Sequence, residues 1–268
     1  MSSQNEDAGS TRYHIRAVER AISILKLFVE NDSELSAAEI STQMNLHRST
    51  TFRFLVTLMD AGFIEQNPQN HKYHLGIAAF ELGNAFLNQT NLHERAMSVL
   101  ESLRDRSGET VHLAIREENQ VVYLEKLAGL HPIGLMSSRV GSRSPVYCTG
   151  LGKALLAYSQ EKEIQKVIQN TKMTQFTENT ITDHQELLEE LSRIRAQGYA
   201  IDQQEHEHGV MCVAAPVFDP AGVVAAISAA GPVDRMDRKM KEENLELLVK
   251  EAAESISMSL GGSPDGGL

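Results

Sequence analysis

The chain has 268 residues and a mass of 29.6 kDa, with 41% hydrophobic and 23% charged residues, which suits roughly two globular domains and excludes collagen-like, coiled-coil and wholly disordered chains. Its 25 Lys+Arg against 36 Asp+Glu give a net charge of −11. That balance argues against coating nucleic acid by bulk charge and leaves room for a local DNA-binding face. Two cysteines, Cys148 and Cys212, cannot build a disulfide framework, so a reducing cytoplasm is expected. Residues 1–11 are polar and carry no signal-peptide core, and the longest strictly apolar run, 210–218, falls far short of the ~20 residues that cross a bilayer. No membrane partner is expected.

In chain order, residues 1–11 read as a solvated tail. Apolar residues Val18, Ala21, Ile22, Leu25 and Phe28 recur at helical spacing. Ser36 and Glu39 form a capping box that opens a second short helix. Asn45 stands where a turn needs positive φ, and a third helix spans about 47–60, stopping at Ala61-Gly62. Two short strands, 63–66 and 71–75, flank the turn Asn67-Pro68-Gln69-Asn70. An amphipathic helix over 76–88 connects to the second half, with the boundary near residue 90.

The second half is predicted as a helix over 92–106, strands over 110–116 and 120–126, a third strand over 133–140 and a short helix over 150–158. Thr182 with Gln185 reads as a capping box opening a helix that ends at Gly198. Strands over 199–202, 212–218 and 223–229 and one final helix over 237–260 complete an α+β sensor-like domain with a largely antiparallel sheet. The last residues, 263–268, read as a disordered tail.

Helix, Asn-containing turn, helix and hairpin have the spacing of a winged helix-turn-helix. On the third helix Thr51, Phe54, Leu55 and Leu58 fall on a core face. Arg48, Ser49, Thr50, Phe52 and Arg53 fall on the other side, suited to phosphates, guanine edges and a thymine methyl. His71 and Lys72 of the wing are placed to meet the DNA backbone or minor groove. Residues 10–76 hold seven basic and seven acidic residues, and acids are absent from 47–59. A neutral domain with one locally basic helix implies a dimer on a pseudo-palindromic site. The alternative is a helical domain with solvated arginines.

The blocks at 18–25, 38–41, 48–55 and 73–76, followed by Gly108-Glu109-Thr110-Val111-His112-Leu113, Gly141-Ser142-Arg143-Ser144-Pro145, 152–157, 198–202 and 209–217, resemble the isocitrate lyase regulator (IclR) family of bacterial transcription factors across residues 12–262. Asn45 and His47 stand where the family often has Gly and Pro. The resemblance implies a DNA-binding domain over 12–75, a linker helix over 76–90 and a GAF/PAS-like effector domain over 91–262. It implies a homodimer or dimer of dimers on double-stranded DNA, repressing a catabolic operon, with no cofactor and no catalytic or metal residues. It also implies a small organic acid held by Met136, Gly150, Leu151, Asp202, Val210, Cys212 and Ser228, with Ala230 where some relatives have serine. The segments 123–126 and 145–149 look most like the sugar-acid, 2-keto-3-deoxygluconate repressor-like subgroup.

The residues themselves suggest a carboxylate at the helix start Thr149-Gly150-Leu151-Gly152, with Asp202 accepting from a ligand hydroxyl. Taken singly, Cys212 is equally a buried structural cysteine and Asp202 a solvated turn acid. Gly150-x-Gly152-Lys153 lacks P-loop spacing, and His206-x-His208 with Cys212 reads as a solvated loop rather than a zinc site. The second functional reading is a small-molecule-binding or hydrolytic enzyme with a helical appendage.

Overall fold

The computed structural model describes residues 15–31, 34–89, 91–131 and 136–263. The two predicted terminal tails lie outside the described residues, apart from Ser263. The chain forms two compact units, Met1–Gln89 and Thr90–Leu268.

The first unit runs α1 (Arg16–Glu30), α2 (Ala37–Gln43), α3 (Arg48–Asp60), β1 (Ile64–Gln66), β2 (Tyr73–Leu75) and α4 (Ile77–Gln89). Local chemistry sets each boundary. The Ser36–Glu39 capping box closes reciprocally, with Glu39 N–H donating to Ser36 Oγ at 3.2 Å and Ser36 N–H to Glu39 Oε2 at 2.7 Å. Asn45 takes φ +48 in the turn before α3, and Gly62 takes φ +72 after it. β1 and β2 pair antiparallel, and Leu35 bridges Tyr73, tying the hairpin to the chain before α2. Glu34 accepts from Asn67 Nδ2 at 2.8 Å and Asn70 Nδ2 at 2.6 Å, holding the hairpin turn. Ile24, Leu35, Ile40, Leu55, Leu58, Ile64 and Tyr73 form the core.

The second unit opens with α5 (Leu92–Ser107), β3 (Thr110–Glu117), β4 (Gln120–Leu127), β5 (Arg143–Pro145), α6 (Gly150–Ala157), α7 (Glu161–Asn170) and α8 (His184–Gln197). It closes with β6 (Ala200–Gln203), β7 (Val210–Asp219), β8 (Gly222–Pro232), α9 (Val233–Glu243) and α10 (Leu245–Leu260). The strands make one antiparallel sheet in the order β5-β4-β3-β8-β7-β6. Ala114, Ala214 and Ala226 face α6, α7 and α8, whereas their alternate neighbours Leu113, Val213 and Ile227 point to the face that α5 and α10 cover. Among the described residues no helix is long and apolar enough to cross a membrane.

Four expectations need correction. The third strand is β5; of the expected strand over 133–140, residues 133–135 lie outside the described residues. Among the described residues of that stretch, 136–140 follow no ladder, because Ser137 and Ser138 spend their polar groups on Glu207, His112 and Lys126. Helix α7 went unpredicted, although Ile164, Val167 and Ile168 carry its apolar stripe. The N-cap of α8 is Asp183, which accepts from the N–H groups of Gln185 and Glu186 at 2.9 and 3.0 Å; Thr182 lies one residue outside. The final helix is two, broken at Asn244 in the left-handed region (φ 50°, ψ 50°).

The start of β3 is locked to α9 by a buried carboxylate. Glu109, 0% exposed, receives a bidentate pair from Arg235 at 2.6 and 2.5 Å and Lys239 at 3.0 Å. Removing Glu109 strands two cations against the buried end of the strand. Glu109→Ala is expected to destabilise the Thr90–Leu268 unit by about 3–5 kcal/mol, read as a drop in its thermal or urea midpoint. A loss below about 0.5 kcal/mol, the scale of ordinary surface substitutions, counts against this lock.

Candidate functional site

Two surfaces carry the chemistry. In the first unit, Thr51, Leu55 and Leu58 anchor α3 in the core, so the opposite face is turned outward. Arg48, Ser49 and Arg53 are exposed, Phe52 is 58% exposed and Thr50 is half-buried. The helix opens on His47, whose ring accepts from Ser49 N–H at 3.5 Å and lies 3.0 Å from Ser49 Oγ. No acid stands in its first turn. A cluster of donors and cations at an acid-free helix start suits phosphate and base edges. In the hairpin, His71 is exposed at φ +57, and Lys72 lies 3.9 Å from Glu39.

In the second unit, sheet register gathers one set of side chains. His112 pairs with Ser228, Ser228 with Ala214, Cys212 with Ala230, and Asp202 with Cys212, so His112, Ser228, Cys212, Ala230 and Asp202 share the face that α6 covers. With Tyr123, Met136, Ser138, Ser144, Thr149, Leu151, Val210 and the turn residues His206 and Glu207, they line a small cavity, partly open to solvent.

Of the residues the sequence singled out for an effector, Met136, Leu151, Asp202, Val210, Cys212 and Ser228 line this cavity. Gly150 does not. It lets α6 press onto the sheet, since a Cβ there would lie 2.6 Å from Cys212 Sγ. Gly152 does the same against the Val146 carbonyl, at 2.3 Å. The α6 start is also less open than expected. Gly152 N–H donates to Thr149 Oγ1 at 3.2 Å and Gly150 N–H to the Cys212 sulfur, so two of the first N–H groups of α6 are already used. His112, Tyr123, Ser138 and Ser144 had no flag in the sequence. For His112, Tyr123 and Ser144 the signal was a polar residue on a strand face, legible once the register is known; Ser138 lies outside the strands.

The electrostatics follow from burial. His112 sits between Ser138 Oγ at 2.9 Å and Ser228 Oγ at 3.4 Å, edge-on to Tyr123, and desolvation pushes its pKa down to about 3. The Tyr123 phenol, which donates to Ser144 Oγ at 3.4 Å, is pushed well up, as are the Cys148 and Cys212 thiols. Asp202, 6% exposed, is no solvated turn acid. Burial first, and the neighbouring Glu205 second, raise its pKa to about 7. His206 packs on Phe176 and His208 pairs with Glu178.

Residues 17–68 match the IclR helix-turn-helix domain, and residues 84–258 match the C-terminal domain of the bacterial transcriptional regulator IclR. The chain belongs to the IclR family. The Escherichia coli regulator XynR is 37% identical over 248 residues, covering 92% of this chain and 98% of XynR. The E. coli regulator KdgR is 34% identical, covering 89% and 92%. The crystal structure of the Thermotoga maritima IclR matches with a TM-score of 0.75 at 35% identity, covering 92% and 100%. An IclR homologue from Microbacterium hydrocarbonoxydans, crystallised with 4-hydroxybenzoate, matches with a TM-score of 0.82 at 25% identity, covering 91% and 98%. As an IclR-family member the chain is a transcription regulator with a DNA-binding and an effector-binding domain, and the enzyme alternative falls away.

His112 gives the effector domain a defined acid sensitivity. Its folded pKa, about 3, lies below the ordinary 6.5, so the unfolded chain binds a proton that the folded one refuses as pH falls between those values. Stability present above pH 6.5 is therefore lost on acidification toward 3. In His112→Gln, which stays neutral, the decline over that window is expected to be shallower by about 1.4 kcal/mol per pH unit, measured by urea unfolding across pH. Equal slopes in the two proteins count against the neutral histidine.

Proposed function

We propose that this IclR-family regulator represses a catabolic operon in the cytoplasm and that a small carboxylate in the effector cavity changes its grip on DNA. The observation that carries the DNA half is α3, an acid-free helix with Arg48 and Arg53 outward over a buried Thr51–Leu55–Leu58 face. Arg48, Ser49, Thr50, Phe52 and Arg53 are the major-groove residues in this reading, with His71 and Lys72 on the backbone or minor groove. Repressors among the relatives, such as AllR of Salmonella typhi at 37% identity, favour repression.

The active species is a homodimer or a dimer of dimers. A neutral domain with one short reading helix needs two-fold doubling for affinity and site length. The first unit also exposes apolar side chains on α1 (Val18, Ile22, Val29) and α4 (Phe80, Leu82, Phe86). Exposed apolar surface of this kind fits a second copy.

The effector is a hydroxylated acid. Ser138, Ser144, Ser228 and His112 offer hydroxyl and imidazole partners to several ligand oxygens at once. A sugar acid uses more of them than glyoxylate, and 4-hydroxybenzoate, bound by the Microbacterium homologue, shows the ligand size that fold accepts.

The test is anisotropy on a promoter fragment from upstream of the chain's own gene, against random DNA. Arg53→Ala is expected to weaken specific binding by about 1–3 kcal/mol; equal binding to both fragments by both proteins removes the assignment. Sedimentation at micromolar concentration is expected to show a dimer or tetramer, dissociating in Phe80→Asp. A wild-type monomer that still binds its promoter tightly contradicts the dimer.

A further inference from the structure

The effector cavity suits an acid, yet among the described residues that line it there is no Lys or Arg. It instead contains two carboxyl groups, Asp202 and Glu207, with Glu205 buried in the same turn. Among the described residues the buried Lys or Arg is Lys153 of α6, 1% exposed. An ammonium has three hydrogens to give. Lys153 donates to the Glu205 carboxylate, to Glu190 Oε1 at 3.3 Å and to the Ile201 carbonyl at 2.6 Å. Its hydrogens are spent, and Glu190 draws further on Arg193 at 2.7 Å.

Asp202 is thus left outside the ion-pair network. Its Oδ1 accepts the Glu205 N–H at 2.7 Å, and the His206 N–H also donates to it. Among the described residues the other groups around it are neutral or acidic, apart from Lys126 of β4, whose ammonium donates to the Ser138 carbonyl and interacts with Glu207. β7 brings the Cys212 thiol, the segment before α6 the Cys148 thiol, and β4 the Tyr123 phenol, each kept protonated by burial. β3 brings the neutral His112, and the β6–β7 turn brings Glu205, Glu207 and the His206 ring, which burial holds neutral. Lys153 acts on Asp202 only through space, and Glu205 acts against it. A buried carboxyl with no cation bonded to it and a carboxylate beside it holds its proton to higher pH than an ordinary carboxyl, even against the two backbone N–H groups that donate to it.

We propose that Asp202 is the protonated hydrogen-bond donor of the effector cavity, giving its O–H to the carboxylate or keto oxygen of the bound acid, so that the acid and one proton are held together. The proposal rests on the cavity being the effector site. It reverses the expectation that Asp202 accepts from a ligand hydroxyl, and it selects for a ligand with an acceptor at that position, excluding amines and amidines. Where Asp202 is ionised in the free protein, binding must take a proton from solution. Effector affinity then falls as pH rises, approaching roughly tenfold per pH unit, and the regulator reads acid and pH jointly.

Two measurements on the full chain decide it. The first is a carbon-13 carboxyl titration of the ligand-free protein, with Asp202→Asn assigning the signal. A midpoint near pH 7 is expected, and a midpoint in the ordinary carboxylate range, about 4, overturns the proposal. The second is calorimetry with glyoxylate, galactonate, 2-keto-3-deoxygluconate and 4-hydroxybenzoate, in buffers of contrasting ionisation heat at about pH 6 and about pH 8. An acid that binds is expected to take up close to one proton at the higher pH, and Asp202→Asn to show no uptake. Binding by the wild type without uptake at the higher pH overturns the proposal. If none of the four acids binds, the effector reading loses its support, while the carboxyl titration still decides the protonation of Asp202.

Discussion

The effector domain is arranged around the buried Lys153 ammonium. A charge taken out of water is costly unless it is paired and its hydrogens are satisfied. The chain meets this with Glu205, Glu190 and the Ile201 carbonyl, drawn from three different places. The pairing fixes α6 against β6 and against the turn that leads into β7. It holds Glu205 in place, and Glu205 N–H in turn orients Asp202. Gly150 and Gly152 make the arrangement possible, because only a helix without side chains at those positions can bring Lys153 so close to the sheet.

The same arrangement explains the cavity's unusual charge. Lys153 serves the framework, so the cavity is lined by hydroxyls, a neutral imidazole and carboxyls. Recognition of an anion by neutral donors in a partly desolvated site is strong enough to be useful and weak enough to be reversible. A regulator needs reversibility, since its ligand must leave when concentrations fall, and any change in DNA affinity is limited by the ligand's differential affinity for the two states.

The DNA-binding domain uses few charges. Its reading helix carries two arginines and no acid in its first turn, and its wing is held by hydrogen bonds from Asn67 and Asn70 to Glu34 rather than by a large core. Such a domain has little electrostatic attraction to a duplex, and it leaves apolar side chains outward on α1 and α4.

What the amino-acid order settled unaided was local. The Ser36–Glu39 box, the positive φ at Asn45, the stop at Gly62 and the apolar periods of α1 and α3 arise between residues a few positions apart, where side chain and backbone meet with no help from the fold. The family blocks extended that reading across both domains, and six of the seven residues they pointed to as effector contacts line one cavity. The tertiary structure decided the rest. Asn244 splits the last helix in the left-handed region, and Ser137 and Ser138 stay outside the sheet, where they bond to Glu207, His112 and Lys126. His112, Tyr123 and Ser144 reach the cavity only through strand register. Asp202 reads in sequence as an ordinary turn acid; its burial, and the commitment of Lys153 to other oxygens, come from segments about fifty residues apart and exist only once the sheet and α6 have closed on each other.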